Sequence, residues 1–202
     1  MPSYVNPKGM TLVYGCHRSV LPNESVFKLW GPLKQKRSTY GDYAYFDKTA
    51  SKGVKAIYGD DQGYPMAETL LEFNGFSEVK NLVYMEHIGN GIRLVIIISK
   101  NKVLYESMLN SPKIPDVAIM SMVSTGEKFK VVIAGEAQQD EIDDDSYIFP
   151  KQLIKEQVYE GSSVLADAKP NGNYAALRPL VNAMEKGRVV PVTRFNIFAI
   201  AV

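Results

Sequence analysis

Residues 81–108 read NLVYMEHIGNGIRLVIIISKNKVLYESM, and the reading of this stretch decides the fold. It predicts three strands joined by two tight turns. Leu82–Ile88 is rich in aromatic and β-branched residues, which suit a pleated surface. Gly89-Asn90-Gly91 comes next, and these residues tolerate the positive φ that tight hairpin turns need. Ile92–Ser99 holds the unbroken apolar run Leu94-Val95-Ile96-Ile97-Ile98. A run without polar alternation marks a strand covered on both faces. Lys100-Asn101-Lys102 is a second polar turn, and Val103–Met108 returns. A meander with a doubly buried centre needs helices on its faces, so the rest of the chain must supply them.

On the N-terminal side, Gly63–Phe76 predicts a helix. Pro65 suits its first turn, Met66, Leu70, Leu71 and Phe73 can face a sheet, and Asn74-Gly75 ends it. On the C-terminal side, Asp116 opens a helix whose apolar face is Val117, Ile119, Met120 and Val123, with Gly126 as the stop. Phe129–Ala134 is a compact buried strand ended by Gly135. Tyr147–Val158 contains Pro150, so it reads as a strand running into a short helix, or as an edge strand. Asn173–Lys186 predicts a helix with Ala175, Leu177, Leu180, Val181 and Met184 on one stripe, interrupted by Pro179 and stopped by Gly187.

The first third is poorer in apolar residues and reads as a loosely packed lobe. After a flexible leader, Met10–Cys16 is a short strand candidate. Asn23 caps a short helix with Val26, Phe27, Trp30 and Leu33 on its apolar face, broken by Gly31-Pro32. Thr39–Asp47 and Val54–Tyr58 read as strands. The organisation is then an N-terminal part, 1–62, a core, 63–188, and a C-terminal strand or start of a membrane helix, 189–202.

The 202 residues carry a net charge of +1, which gives no general argument for nucleic acid binding. The single cysteine, Cys16, allows no intrachain disulfide, which fits a reducing compartment. Met1–Met10 is polar and contains Pro2, Pro7 and Gly9, unlike a signal peptide. Near the end, Lys186, Arg188 and Arg194 precede the apolar run Phe195–Val202. Basic residues before an apolar run are the order of a chain entering a membrane helix from the cytoplasmic side. A C-terminal strand interrupted by Pro191 is the other reading.

Strong catalytic patterns are not found. Cys16 and His17 are adjacent, and neighbours on a strand point to opposite faces, so they are poorly placed as a nucleophile pair. Two histidines and one cysteine do not make a structural zinc site. Gly89-Asn90-Gly91 lies between two strands, whereas a dinucleotide fingerprint opens a helix. Glu68, Glu72 and Glu86 are carboxylates with no pairing legible in the sequence. The acidic loop 136–146, EAQQDEIDDDS, crowds Asp140, Glu141, Asp143, Asp144 and Asp145 together. Its spacing is not that of a calcium loop. It reads as a solvated loop or as a docking surface for a basic partner.

Helix, three-strand meander, helix, strand and helix is the layout of an actin-like, or RNase H-like, subdomain with a mixed sheet. Gly63-Tyr64-Pro65-Met66-Ala67 opens the helix, and Leu82–Ile88, Gly89-Asn90-Gly91, Ile92–Ser99, Lys100-Asn101-Lys102-Val103-Leu104 and Phe129–Gly135 follow. Over residues 63–135 this pattern resembles the cytoplasmic actin-like domain of bitopic inner-membrane assembly proteins of type IVb pili and type II secretion. The resemblance implies a non-enzymatic scaffold on the cytoplasmic side of the bacterial inner membrane. Its implied partners are the assembly ATPase and the polytopic platform protein. It also implies a membrane helix beginning near Phe195, leaves room for a homo-oligomer, and implies no cofactor, metal or nucleic acid. Nucleotide-binding actin relatives follow an acidic residue with glycine and hydroxyl residues in the first turn. Here Glu86-His87-Ile88-Gly89-Asn90-Gly91 has no Ser or Thr. The rival expectations are a nucleotide- or metal-dependent switch or enzyme, with Glu86 and the acidic loop on Mg²⁺, and a stand-alone binding module.

Overall fold

The structure is a computed structural model, and it describes residues 3–22, 40–48, 53–72, 76–89, 91–110, 113–135, 149–169 and 176–179. Their order is β1 (Ser3–Val5), β2 (Thr11–Val13), β3 (His17–Pro22), β4 (Tyr43–Lys48), β5 (Gly53–Gly59), β6 (Tyr64–Pro65), α1 (Met66–Glu72), β7 (Asn81–Gly89), β8 (Ile92–Ser99), β9 (Lys102–Leu109), α2 (Asp116–Val123), β10 (Phe129–Ala134), β11 (Ile154–Glu160) and β12 (Arg178–Pro179). Short 3-10 turns lie at Phe76–Glu78, Lys151–Leu153 and Leu165–Asp167. The class is mixed α/β. The chain divides into two compact units, one from Met1–Tyr4, Thr11–Pro65 and Ala175–Val202, the other from Val5–Met10 and Met66–Tyr174.

The second unit is built on the predicted meander. Its five-stranded sheet has the order β11-β10-β7-β8-β9. β8 runs antiparallel to β7 and β9, while β10 is parallel to both β7 and β11. β8, the middle strand of the meander, is buried from Arg93 to Ser99, as a strand covered on both faces must be. The β8–β9 turn is a two-residue loop closed by Ser99 opposite Lys102. Lys100 and Asn101 take φ of 50° and 63°, the paired positive angles of a type I′ turn, whose twist matches that of the strands.

Side chains alternate across this sheet. One face presents Val83, Met85, Val95, Ile97, Phe129, Val131 and Ile133 to the core formed with Ala118 and Met122 of α2. The other presents Tyr84, Glu86, Leu94 and Ile96, all buried. On that second face, Phe76 meets the Tyr84 ring edge-on, with centroids 5.9 Å apart. The backbone N–H of Ala67, in the first turn of α1, donates to Glu106 Oε1 at 3.0 Å. A carboxylate there satisfies an amide that has no partner inside the helix.

Three helix readings are corrected. Val117, Met120 and Val123 of α2 are exposed, and Ala118 and Met122 are the buried pair. Apolar residues occupy most of this short helix, so periodicity alone does not choose its inner side. Of the predicted helix 173–186, the described residues Leu177, Arg178 and Pro179 are extended, not helical: Leu177 bridges Gly63, and Arg178–Pro179 pairs with Ala44 and Tyr43. Pro179 has no N–H and disfavours a helical residue before it, which agrees with an edge strand. Tyr64-Pro65 is also a strand, parallel to Leu12-Val13, and the helix starts only at Met66. In the 147–158 stretch the turn precedes the strand, and β11 is the sheet edge.

The first unit holds a three-stranded sheet, β1-β2-β6, and a four-stranded sheet, β12-β4-β5-β3. Its lobe is not loosely packed: Leu12, Val13, Ala44, Phe46, Val54, Ala56, Ile57 and Tyr58 are all buried. The predicted strand 10–16 ends at Val13, because the chain turns at Gly15, where φ is 67°. The expected helix after Asn23, the acidic loop with Asp140, Glu141, Asp143, Asp144 and Asp145, and the run from Phe195 lie outside the described residues.

Candidate functional site

Parallel strands β7 and β10 end side by side, and the strands that follow each of them in sequence lie on opposite sides. β8 flanks β7 on one side, and β11 flanks β10 on the other. Such a divergence at the carboxyl ends of parallel strands is where open α/β sheets receive ligands. Register places Glu86, Ala134 and Glu160 in one row across β7, β10 and β11.

Glu86 is 1% exposed. Its carboxylate accepts hydrogen bonds from the Tyr84 hydroxyl and the Ser163 hydroxyl. A third bond comes from Leu165 N–H at 3.3 Å. Burial disfavours the charged carboxylate and raises its pKa, and the donors from Ser163, Tyr84 and Leu165 oppose that shift without cancelling it. The Tyr84 phenol is pushed up as well, first by burial and then by the adjacent Glu86.

The segment that closes over Glu86 is fastened from other sides. Asn6 is 3% exposed, and its side-chain amide donates to the carbonyls of Leu165 and Ala168, each at 2.8 Å. Its Oδ1 accepts from Met10 N–H at 2.8 Å and Lys8 N–H at 3.1 Å. Gly135 N–H donates to the Ser162 carbonyl at 3.3 Å. Gly135 has φ of 85° and lies so close to β7 that a Cβ would stand 2.6 Å from the His87 carbonyl oxygen. The described residues before Met10 are therefore not a flexible leader: Ser3–Val5 is a strand, and the buried Asn6 side chain ties the turn that follows to Leu165 and Ala168.

A cavity of about 440 Å³ opens beside this network. Val132 and Val158 of the sheet line it together with Phe76, Val79 and the 162–164 segment, and Lys130, Glu160 and Asp167 bring charge to it. Lys130 pairs with Glu156 at 3.5 Å, and Asp167 with Lys8 at 3.8 Å.

The other sequence candidates are not brought to this site. Cys16 is a buried thiol among Val13, Ile57 and Leu177, and His17 stacks on Tyr40 with centroids 3.9 Å apart. Glu68 is buried in α1, and Glu72 is exposed at its end. Among the described residues, no group of three or more His, Cys, Asp or Glu is placed to hold a metal ion, and no helix is long and apolar enough to cross a membrane. Ser163, Leu165 and Asn6 were not legible as site residues. Their partners lie far away in sequence, and only the Ser162-Ser163 pair hints at a capped turn.

No protein-family model matches the sequence, and no curated protein matches it. Among solved structures, the chain is similar to the cytoplasmic domain of BfpC, with a TM-score of 0.44 and 9% identity over 88% of this chain and 97% of that one. It is also similar to a protein of Bacteroides thetaiotaomicron VPI-5482 with an actin-like ATPase fold and unknown function. There the TM-score is 0.38 and the identity 10%, over 75% of this chain and 70% of that one.

Proposed function

We propose that this chain is a non-enzymatic docking domain of a pilus or secretion assembly complex. Its second unit is an actin-like core, and it works on the cytoplasmic side of the bacterial inner membrane. Its partners are the assembly ATPase, the polytopic platform protein, or both. The observation that carries this reading is the state of the ligand crevice. The carboxyl ends of β7 and β10 are closed by the chain's own segment 162–168, bonded to Glu86. A nucleotide phosphate there would meet a buried carboxyl group and a backbone N–H already in use, where phosphate sites present free N–H groups and cations. The sequence pattern of residues 63–135 supports the same assignment, because its first turn lacks hydroxyl residues.

The test is binding of the immobilised chain to the purified assembly ATPase and, separately, to the platform protein of the same organism, read by surface plasmon resonance. Saturable binding to at least one is expected. No binding to either would overturn the assignment.

A further inference from the structure

Val158 and Glu160 of β11 line the cavity beside Glu86, and β11 is an edge strand among the described residues. β11 has a strand neighbour, β10, on one side only among the described residues. Its side chains Lys155, Glu156, Gln157, Tyr159 and Glu160 are exposed. An open edge is a template for an added strand, and the charges on it discourage indiscriminate pairing. On the cavity side of β11, the residues are Glu156, Val158 and Glu160, in register with Lys130, Val132 and Ala134 of β10. Val158 and Glu160 line the cavity, and Glu156 is already engaged by Lys130. Glu160 makes none of the ion pairs found among the described residues.

We propose that β11 accepts an extended segment of a partner protein, running parallel to β11 and carrying the pattern apolar-x-basic. The inference rests on the docking reading above and names the segment that this edge selects. The apolar side chain lies opposite Val158, which lines the cavity. The Lys or Arg two residues on projects from the same side of its strand, because strand side chains alternate with period two. It reaches Glu160. Main-chain hydrogen bonds supply the attachment, and the cross-strand pairs opposite Val158 and Glu160 supply the selection. A volume of about 440 Å³ accommodates a large side chain with room for its neighbour. A segment of the pattern apolar-x-acidic would set a carboxylate against Glu160 and be rejected.

The test uses the full chain and two fluorescein-labelled threonine-rich peptides. One carries a central Val-Thr-Arg, and the other Val-Thr-Glu in its place. Fluorescence anisotropy is expected to show binding of the Arg peptide only. Glu160→Lys, a surface change that leaves the core untouched, is expected to weaken it by about tenfold and to admit the Glu peptide. Amide chemical-shift changes should fall on β11 and β10. Equal binding of both peptides, indifference to E160K, or shifts confined to other elements would overturn the inference. Binding of n-butylguanidinium as tightly as the Arg peptide would also overturn it, since that marks a small-molecule pocket. If the assembly ATPase binds the wild-type chain and E160K equally well, this inference fails while the docking reading stands.

Discussion

Replacing Glu86 with alanine is expected to destabilise the protein by about 3 kcal/mol. The substitution removes the acceptor for the Tyr84 hydroxyl, the Ser163 hydroxyl and Leu165 N–H, all at a position 1% exposed. A buried donor left without an acceptor costs about 1–3 kcal/mol, whereas a made bond contributes only about 1 kcal/mol. Glu86→Gln keeps one acceptor oxygen and should cost about 1 kcal/mol. The two variants also separate by pH. Burial raises the pKa of Glu86 in the folded protein, so its contribution to stability is complete below the unfolded pKa and is lost as pH rises through the folded one. The wild type should therefore lose its advantage over E86Q as the pH is raised from acid toward neutral. Urea unfolding midpoints of the two proteins, measured at a series of pH values, check both the size and the sign. A gap that widens with rising pH would mean that the three donors outweigh burial and hold the carboxyl group's pKa down.

Gly135→Ala is expected to cost a similar amount, about 3 kcal/mol, for a different reason. At φ of 85° an L side chain is strained, and the added Cβ would meet the His87 carbonyl oxygen at 2.6 Å and the His87 nitrogen at 3.2 Å. Both are backbone atoms of β7, so no flexible side chain can yield. Relief requires β10 to part from β7, or Gly135 N–H to leave the Ser162 carbonyl. Either movement loosens the segment that covers Glu86. For a chain of this size the expected fall in melting temperature is about 6–12 °C. Gly91→Ala is the control, because φ there is 71° and nothing lies within 4 Å of the added Cβ. It should cost only the strain, about 1–2 kcal/mol. Equal losses at the two glycines would show that β7 and β10 do not approach closely at Gly135.

The meander was legible because it is local: an apolar run too continuous to face water, and turns whose residues accept positive φ. Lys100 and Asn101 take those angles although neither is glycine. The inward side of α2 was not legible, since Val117, Met120 and Val123 are as apolar as Ala118 and Met122, and only packing against the sheet distinguishes them. Pro179 argued for the extended segment that the structure contains, but the apolar stripe around it outweighed that signal. The closure of the crevice was hidden for a further reason. Ser163 lies 77 residues from Glu86, and Asn6 lies 159 residues from Leu165. Nothing local to any of them announces a shared role. Glu86 itself was visible as a carboxylate at a strand end, but not as one already satisfied within the protein.

The central claim is that the ligand crevice of the sheet is filled by the protein's own residues. Isothermal titration of Mg²⁺-ATP into the purified chain tests it most directly. The expected result is no heat of binding beyond dilution, with unchanged amide shifts for Glu86, Gly135 and Ser163. Saturable binding of Mg²⁺-ATP, with shifts at those three residues, would contradict the claim and favour a nucleotide-dependent switch.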